Sequence, residues 1–465
     1  MKIFVENLGA IKQAELEMGK FTIICGSNNT GKTYVTYALF GFLEYWYKMF
    51  SMPVEDMYIK TLLKQGYISI NTNDLAQKAQ EVLDHACSDY SLKLADVYSA
   101  QKKLFENSKF KILLEENDIK LKTEVFEQKI RPSSSDTDIF MLKKEENSSE
   151  LIITLLLEDT NTKIPSFILK QIMGNALKNI IFGNLLPTPF IASAERTGAT
   201  IFRKELDFAR SRLIKELSKT DKKIDPFKLL IDTASGYASP VEFNVEFIRQ
   251  LEALSKSNSF IAEKHIEILK DFSNIIGGEY RVNRNDELYF IPKNVNNVKL
   301  KMGESSSAVR SLLDIGFYLR HVAKKGDLLM IDEPELNLHP ENQRKIARLF
   351  VRLLHVGVNV FITTHSDYII KELNTMIMLN SSKPYILEIM KNEGYQKNEL
   401  LGMDEIRVYI ADKTNLTLTN NKRVKKCQTL IKADINQEQG IEAKSFDKII
   451  NDMNRIQDDI IFGGD

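Results

Sequence analysis

Hydrophobic and polar positions alternate with three different rhythms along this chain. In the first 50 residues the apolar positions come in short runs. Lys2 to Val5 and Ala14 to Met18 predict two short strands that pair. The unbroken run FTIIC (21–25) predicts a buried strand ending at Gly26, with a helix expected from near Lys32. From 51 to 279 the rhythm changes. Residues 73–105 read as a long polar helix with Asn73 or Asp74 as its N-cap. DIKLKTEVFEQKI, DIFMLKK and ELIITLLLED alternate apolar and polar residues around the break RPSSSD, which predicts a small antiparallel sheet. Pro165 opens another helix, and PFIASAERTG (189–198) reads as a strand running into a loop. Residues 201–276 return to helix, where EFNVEFIRQLEAL shows heptad-like spacing too brief for a long coiled coil.

From 280 to 400 the short-run rhythm resumes. It predicts a hairpin (YRVNRNDELYFI), a strand (VKLKM), a helix over 306–324, the strand DLLMID, a helix over 341–355, the strand NVFITT and a helix over 367–373. Residues 401–465 hold short strands such as IRVYIA and a polar helix from Ser445. The pattern contains no internal repeat. It predicts one α/β unit in two pieces, 1–50 and 280–400, split by an insertion over 51–279 and extended by 401–465.

Composition changes this picture little. A length of 465 residues predicts two or three domains, and 43% apolar with 27% charged residues fits a soluble globular chain. Lys+Arg and Asp+Glu are both 63, so net charge points to neither a nucleic-acid nor a membrane partner. Cys25, Cys87 and Cys427 have no metal-type spacing and fit a reducing compartment. The N-terminus lacks a signal-peptide core, and the most apolar stretch, Thr33 to Phe50, is interrupted by Glu44 and Lys48. A cytoplasmic protein without a membrane partner is expected.

The candidate chemistry sits in the short-run segments. GSNNTGKT (Gly26, Ser27, Asn28, Asn29, Thr30, Gly31, Lys32, Thr33) lies between a predicted strand and a predicted helix. Such a loop wraps backbone N–H groups around phosphates at a helix N-terminus, with Lys32 reaching the β- and γ-phosphates of ATP and Thr33 binding Mg²⁺. A plain glycine-rich turn is the competing reading, and the flanking strand and helix disfavour it. DLLMIDEPE ends an apolar strand in two carboxylates. Asp332 is placed to hold Mg²⁺, and Glu333 to polarise the attacking water. NVFITTHSDYI ends another strand in Thr363, Thr364 and His365, whose neutral imidazole could hydrogen-bond the γ-phosphate or the attacking water.

Together these motifs, with ELNLHPENQ and FITTHS, resemble ABC-type P-loop ATPase heads, most closely the SMC/RecF/OLD-like branch of "AAA family" ATPases. The opening FVENLGAIKQAELEMGKFTIICGSNNTGKT resembles the start of that branch, and IASAERTG resembles its P-A-E-R element. The resemblance covers about 200 of the 465 residues. It implies an α/β head split by an inserted helical arm with a small antiparallel β patch. It also implies that two heads close over two ATPs. The signature position then falls at GESSSAVRSLLDIG, with Ser305, Ser306 and Ser307 offering donors across the interface; a simple N-cap is the competing reading there. Leu336 to His339 become the loop that touches the opposite site, and Glu195-Arg196 either an ion pair or a group near the nucleotide.

No TOPRIM arrangement follows residue 380, since KADIN lacks the second Asp. The chain therefore resembles the stand-alone ATPases of bacterial phage-defence systems, such as the PtuA-type subunit of Septu or the AriA-type subunit of PARIS. That resemblance implies self-association into a dimer or larger oligomer, a separate effector (nuclease or toxin) encoded nearby, and a nucleic-acid or phage trigger. The alternative is a DNA-repair or chromosome-structure ATPase of RecF or SMC type that binds DNA through its arm. The basic stretches SAQKKLFENSKFK and NNKRVKKCQ read more simply as solvated faces.

Overall fold

The computed structural model describes residues 1–115, 118–131, 138–156, 165–201, 236–283, 287–293, 295, 298–417, 424–442, 453 and 455–460. These fall into two compact units. The first comprises Met1–Ile3, Phe42–Ser91 and Phe110–Thr188, and the second Phe4–Gly41, Leu92–Lys109 and Pro189–Asp465.

The second unit is built on a six-stranded sheet. Its order is Val424–Lys432, Ile406–Thr417, Phe21–Cys25, Asn359–Thr364, Leu328–Asp332, Pro189–Ala192. Every neighbouring pair is parallel except the Val424–Lys432 edge, which is antiparallel. Phe21–Cys25 and Leu328–Asp332 are buried at every position, which is why they read as unbroken apolar runs rather than alternating ones. Register is what brings the chemistry together. Cys25 lies opposite Thr364, and Asp332 opposite Thr363, so these strands end level at one edge of the sheet. Around it, buried residues of Pro340–Val356, Asp367–Leu379, Ser239–Arg249 and Ile266–Ile276 complete a single core.

The first unit carries a four-stranded antiparallel sheet ordered Tyr67–Asn71, Glu150–Leu155, Phe140–Lys144, Phe126–Ile130. Its core is aromatic, with Trp46 edge-on to Phe182 and stacked on Phe50. Lys178 is buried beside them and donates to the carbonyls of Trp46 (2.7 Å) and Phe50 (2.6 Å). Burial pushes its ammonium down to about 8.

Several expectations are corrected. The polar helix over 73–105 is four short pieces, Thr72–Gln77, Ala79–Ser91, Leu94–Val97 and Lys102–Leu104. Asn71 rather than Asn73 or Asp74 caps the first, and Ser99 takes a left-handed φ of 49° that no helix continues through. The helix expected over 306–324 is present as Ser307–Ser311, Leu313–Phe317 and a wider helical turn over Tyr318–Val322, interrupted at Leu312 alone. Over 201–276 the described helices are Ser239–Arg249, Leu251–Leu254, Phe260–Lys264 and Ile266–Ile276, while residues 202–235 lie outside the described residues. Most of the expected helix from Ser445 also lies outside them.

The compact units also divide the chain differently from the expected boundaries at 51–279 and 401–465. Pro189–Ala192 pairs with Leu328–Ile331, and Ile406–Ile410 with Phe21–Cys25, so both belong to the sheet that carries the glycine loop. Strand partners so distant along the chain leave no trace in local periodicity. The three cysteines are free and buried. Among the described residues no helix is long and apolar enough to cross a membrane.

Candidate active site

The loop after Phe21–Cys25 owes its shape to backbone angles that few side chains allow. Gly26 has φ 138°, Asn29 60° and Gly31 94°. A Cβ at Gly26 would sit 2.8 Å from the Ala411 carbonyl oxygen, and one at Gly31 2.8 Å from Ile11, so glycine is required at both by space as well as by angle. Asn29 tolerates the left-handed region better than most residues. The Thr30 hydroxyl donates to the Ser27 carbonyl at 2.8 Å and closes the loop on itself. Ser27, Asn28 and Asn29 stand exposed at its tip. Lys32, buried at the start of helix Lys32–Lys48, donates from Nζ to the carbonyls of Gly26 (2.9 Å) and Ser27 (2.8 Å). Burial holds its ammonium below the usual value, and the nearby carboxylates of Glu333 and Asp332 oppose that shift.

Asp332 closes the next level of the site. Its Oδ2 accepts from Thr33 Oγ1 at 3.1 Å, and its Oδ1 accepts a very short bond from Thr363 Oγ1. The side chain is 1% exposed, and burial pushes its carboxyl up to about 6 despite both hydroxyl donors. The donor set of one carboxylate and one threonine hydroxyl is all oxygen, which suits a hard dication such as Mg²⁺ whose other ligands come from phosphates and water. The residues therefore fit that ion.

Glu333 follows in a strained conformation, with φ 54°. A non-glycine residue costs roughly 1–2 kcal/mol there and persists only where neighbours over-determine it. Arg196 does so. Its guanidinium is fully buried, and it donates to the carbonyls of Asp332 (2.7 Å), Glu333 (2.9 Å), Ser193 (2.8 Å) and Ser311 (2.7 Å). One cation thereby ties the 193–196 segment and Ser311 to the Asp-Glu turn. Asp314, one helical turn beyond Ser311, is also fully buried, and neither carboxylate oxygen has a hydrogen-bond partner among the described residues. Burial pushes it up to about 7, with Arg196 opposing.

His365 completes the edge. Its Nδ1 lies 3.6 Å from Glu333 Oε1 and 3.3 Å from Glu335 Oε1. Glu335 is the buried anchor of this loop, since Oε1 accepts from the backbone N–H of His365 (2.8 Å) and from Thr364 Oγ1 (2.9 Å). Glu333 and His365 keep 26% and 43% of their side chains exposed, so they face an accessible opening while Asp332 stays sealed below. Glu195 accepts from the Tyr37 hydroxyl at 2.9 Å, and no ion pair joins it to Arg196. His339 caps helix Pro340–Val356 by accepting from the Glu341 N–H, and Asn337 has φ 61°.

Lys32, Thr33, Asp332, Glu333 and His365 thus share one sheet edge. Arg196, Glu335, Thr363 and Tyr37 are the supporting residues to which sequence reasoning assigned no definite role. The second Glu of the DEPE run and the Arg of the AERTG run were the available signals. The three serines have three different roles. Ser305 is buried and donates to the Lys301 carbonyl, Ser306 caps the helix by accepting from the Val309 N–H, and Ser307 is exposed.

No curated protein sequence matches the chain significantly. Among solved structures, an SMC head bound to the C-terminal winged-helix domain of ScpA has 12% identity, covers 92% of this chain and 98% of its own, and has a TM-score of 0.32. The SMC head domain from Thermotoga maritima has 10% identity, 93% and 98% coverage, and a TM-score of 0.32. A Pyrococcus furiosus Smc head with an extended coiled coil, bound to the C-terminal domain of ScpA, has 13% identity, 98% and 98% coverage, and the same TM-score. No functional conclusion rests on likenesses this distant. The AAA ATPase domain family matches residues 1–370, which take in every motif of the site. With its P-loop, Asp-Glu strand and histidine on one edge of an α/β sheet, this ABC-type chain belongs to the AAA ATPase domain family.

Proposed function

We propose that the chain hydrolyses ATP to ADP and phosphate between two closing heads, and that closure controls a separate effector, a nuclease or toxin, in bacterial defence against phage. The observation that carries the ATPase chemistry is the junction at which Thr33 and Thr363 both bond Asp332 while Glu333 faces His365. In this reading the exposed 27–29 tip and the N-terminus of helix Lys32–Lys48 cradle the phosphates, and Lys32 exchanges its two carbonyl partners for the β- and γ-phosphate oxygens. Mg²⁺, held by Asp332 and the Thr33 hydroxyl, neutralises phosphate charge when bound. Glu333 orients and polarises the attacking water, and His365 bonds the γ-phosphate or that water. Arg196 and Glu335 touch no substrate and act by positioning.

Dimer closure rests on the family resemblance together with one structural detail. Ser307 is exposed at the helix start, whereas Ser305 and Ser306 are already engaged. Ser307 is therefore the serine offered to a partner's nucleotide. The defence role rests on the same resemblance.

The test is particle size by light scattering, with and without ATP, for the native chain and for Glu333→Gln, alone and with the product of the neighbouring gene. ATP-dependent growth of the Glu333→Gln particle with co-elution of the neighbour supports the proposal. A chain that stays monomeric with ATP and gains ATPase activity from DNA would instead be a RecF- or SMC-type repair ATPase.

A further inference from the structure

The second unit holds a cavity of about 650 Å³ for which the ATPase reading has no use. Helix Ile266–Ile276, the hairpin of Gly278–Val282 and Leu288–Pro292, and the helical segment through Phe317 to His321 form its walls. The floor is apolar, with Leu269, Phe272, Ile291 and Phe317 among its residues. Two glycines let the walls close on one another. A Cβ at Gly278 would meet the Ile291 carbonyl oxygen at 2.3 Å, and one at Gly316 would meet Phe272 and Tyr280 at 2.7 Å. Walls packed this tightly make the cavity a formed concavity rather than a gap left by loose packing. Its volume is that of a small-molecule site.

Charge indicates what fits. The rim carries Lys270, Arg281, Lys293 and Arg320 against one carboxylate, Glu279. Glu279 lies 3.5 Å from Arg281, and Lys293 donates to Asn274 Oδ1 at 2.6 Å. Lys270 and Arg320 are exposed and have no acidic partner among the described residues. A neutral apolar ligand would leave this excess of cations uncompensated, and a small hydrophilic anion would leave the floor wet. We infer that the cavity binds a small amphipathic organic anion, its apolar or aromatic body against Phe272 and Phe317 and its charge against Lys270 and Arg320. This site is separate from the P-loop edge and does not depend on the nucleotide chemistry.

Two probes of similar shape test it on the full chain. 8-Anilinonaphthalene-1-sulfonate has an aromatic body with one anionic group, and N-phenyl-1-naphthylamine is its neutral counterpart. Fluorescence titration and calorimetry should find one saturable site per chain for the sulfonate, with the neutral probe about tenfold weaker, as the loss of a charge-assisted contact implies. Lys270→Glu with Arg320→Glu should weaken the sulfonate by about tenfold or more and leave the neutral probe unchanged. Arg320→Gln alone, a milder exposed change, should weaken it severalfold. An unchanged urea midpoint should accompany both variants, and Lys32→Ala should leave sulfonate binding intact. Absence of a saturable site, equal affinity for the two probes, or loss of binding in Lys32→Ala overturns the inference.

Discussion

The glycine loop at 26–33 and the turn at Asp332–Glu333 reach the same sheet edge by opposite means. The loop is shaped by its own sequence. Gly26 and Gly31 supply the left-handed angles at no steric cost, Asn29 tolerates one, and Thr30 ties the loop back to Ser27. The turn has no such help. Glu333 sits at φ 54°, where a side chain is strained, and it is held there by Arg196 from a distant segment. The loop takes its angles from its own residues, whereas the turn is held at its angle by a residue that folding brings to it. The difference teaches where function is exposed to remote mutation.

The largest expected effect attacks the setting. Arg196→Met strips four carbonyls of their donor and leaves Asp314 without its facing cation, so stability should fall by about 3–5 kcal/mol in urea unfolding. A loss under 1 kcal/mol would show that the turn keeps itself in place. Next comes the chemistry of the turn. Glu333→Gln should lower kcat for ATP on the order of a hundredfold or more while KM changes little, because it removes proton acceptance and leaves the loop untouched. A parallel rise in KM would assign Glu333 to binding instead.

The loop should respond in the opposite sense. Lys32→Ala removes a charge-assisted contact to phosphate and should weaken nucleotide affinity by about 10- to 100-fold, read by calorimetry, with little change in unfolding midpoint. A smaller effect sharpens the comparison. Glu333→Gly should stabilise the fold by about 0.5–1 kcal/mol, the left-handed cost less the extra chain entropy of glycine, while abolishing turnover. Greater stability would show that Glu333 is strained at this angle, and an unchanged or lower midpoint would show that its neighbours relieve the strain.

The mildest effect is on pH. Asp332 rises from its ordinary 3.8 to about 6 in the folded chain, so the folded state binds the extra proton between those values. Its contribution to metal-free stability is fully present below pH 4 and is lost as pH rises through 6. Mg²⁺ competes with that proton, so Mg²⁺-dependent nucleotide binding should be level above pH 7 and decline through pH 6. Thermal melts and calorimetry from pH 5 to 7.5 check both directions.

Legibility in the sequence followed the range of the interactions involved. FTIIC, DLLMID and NVFITT announced strands because burial on both faces, as in the parallel sheet they form, leaves an unbroken apolar run. The P-loop, Asp332-Glu333 and His365 were legible because each follows such a strand directly. The expected helix over 73–105 breaks at Ser99, and the one over 306–324 runs from Ser307 to Val322 with a single interruption at Leu312. The motifs pointed to Arg196, Glu335 and Thr363 without fixing their roles, since each depends on a partner brought near by folding.

What the sequence determined by itself was therefore the local chemistry. It set a glycine loop able to receive phosphates, a strand ending in two carboxylates, and a histidine after a third strand. The tertiary structure decided that these meet. It placed Ile406–Ile410 beside Phe21–Cys25, set Asp332 level with Thr363, and drove Arg196 into the core to hold Glu333. The physical reason is that backbone angles and apolar periodicity act between near neighbours. Sheet register and the burial of a charge are settled only once segments hundreds of residues apart have packed together.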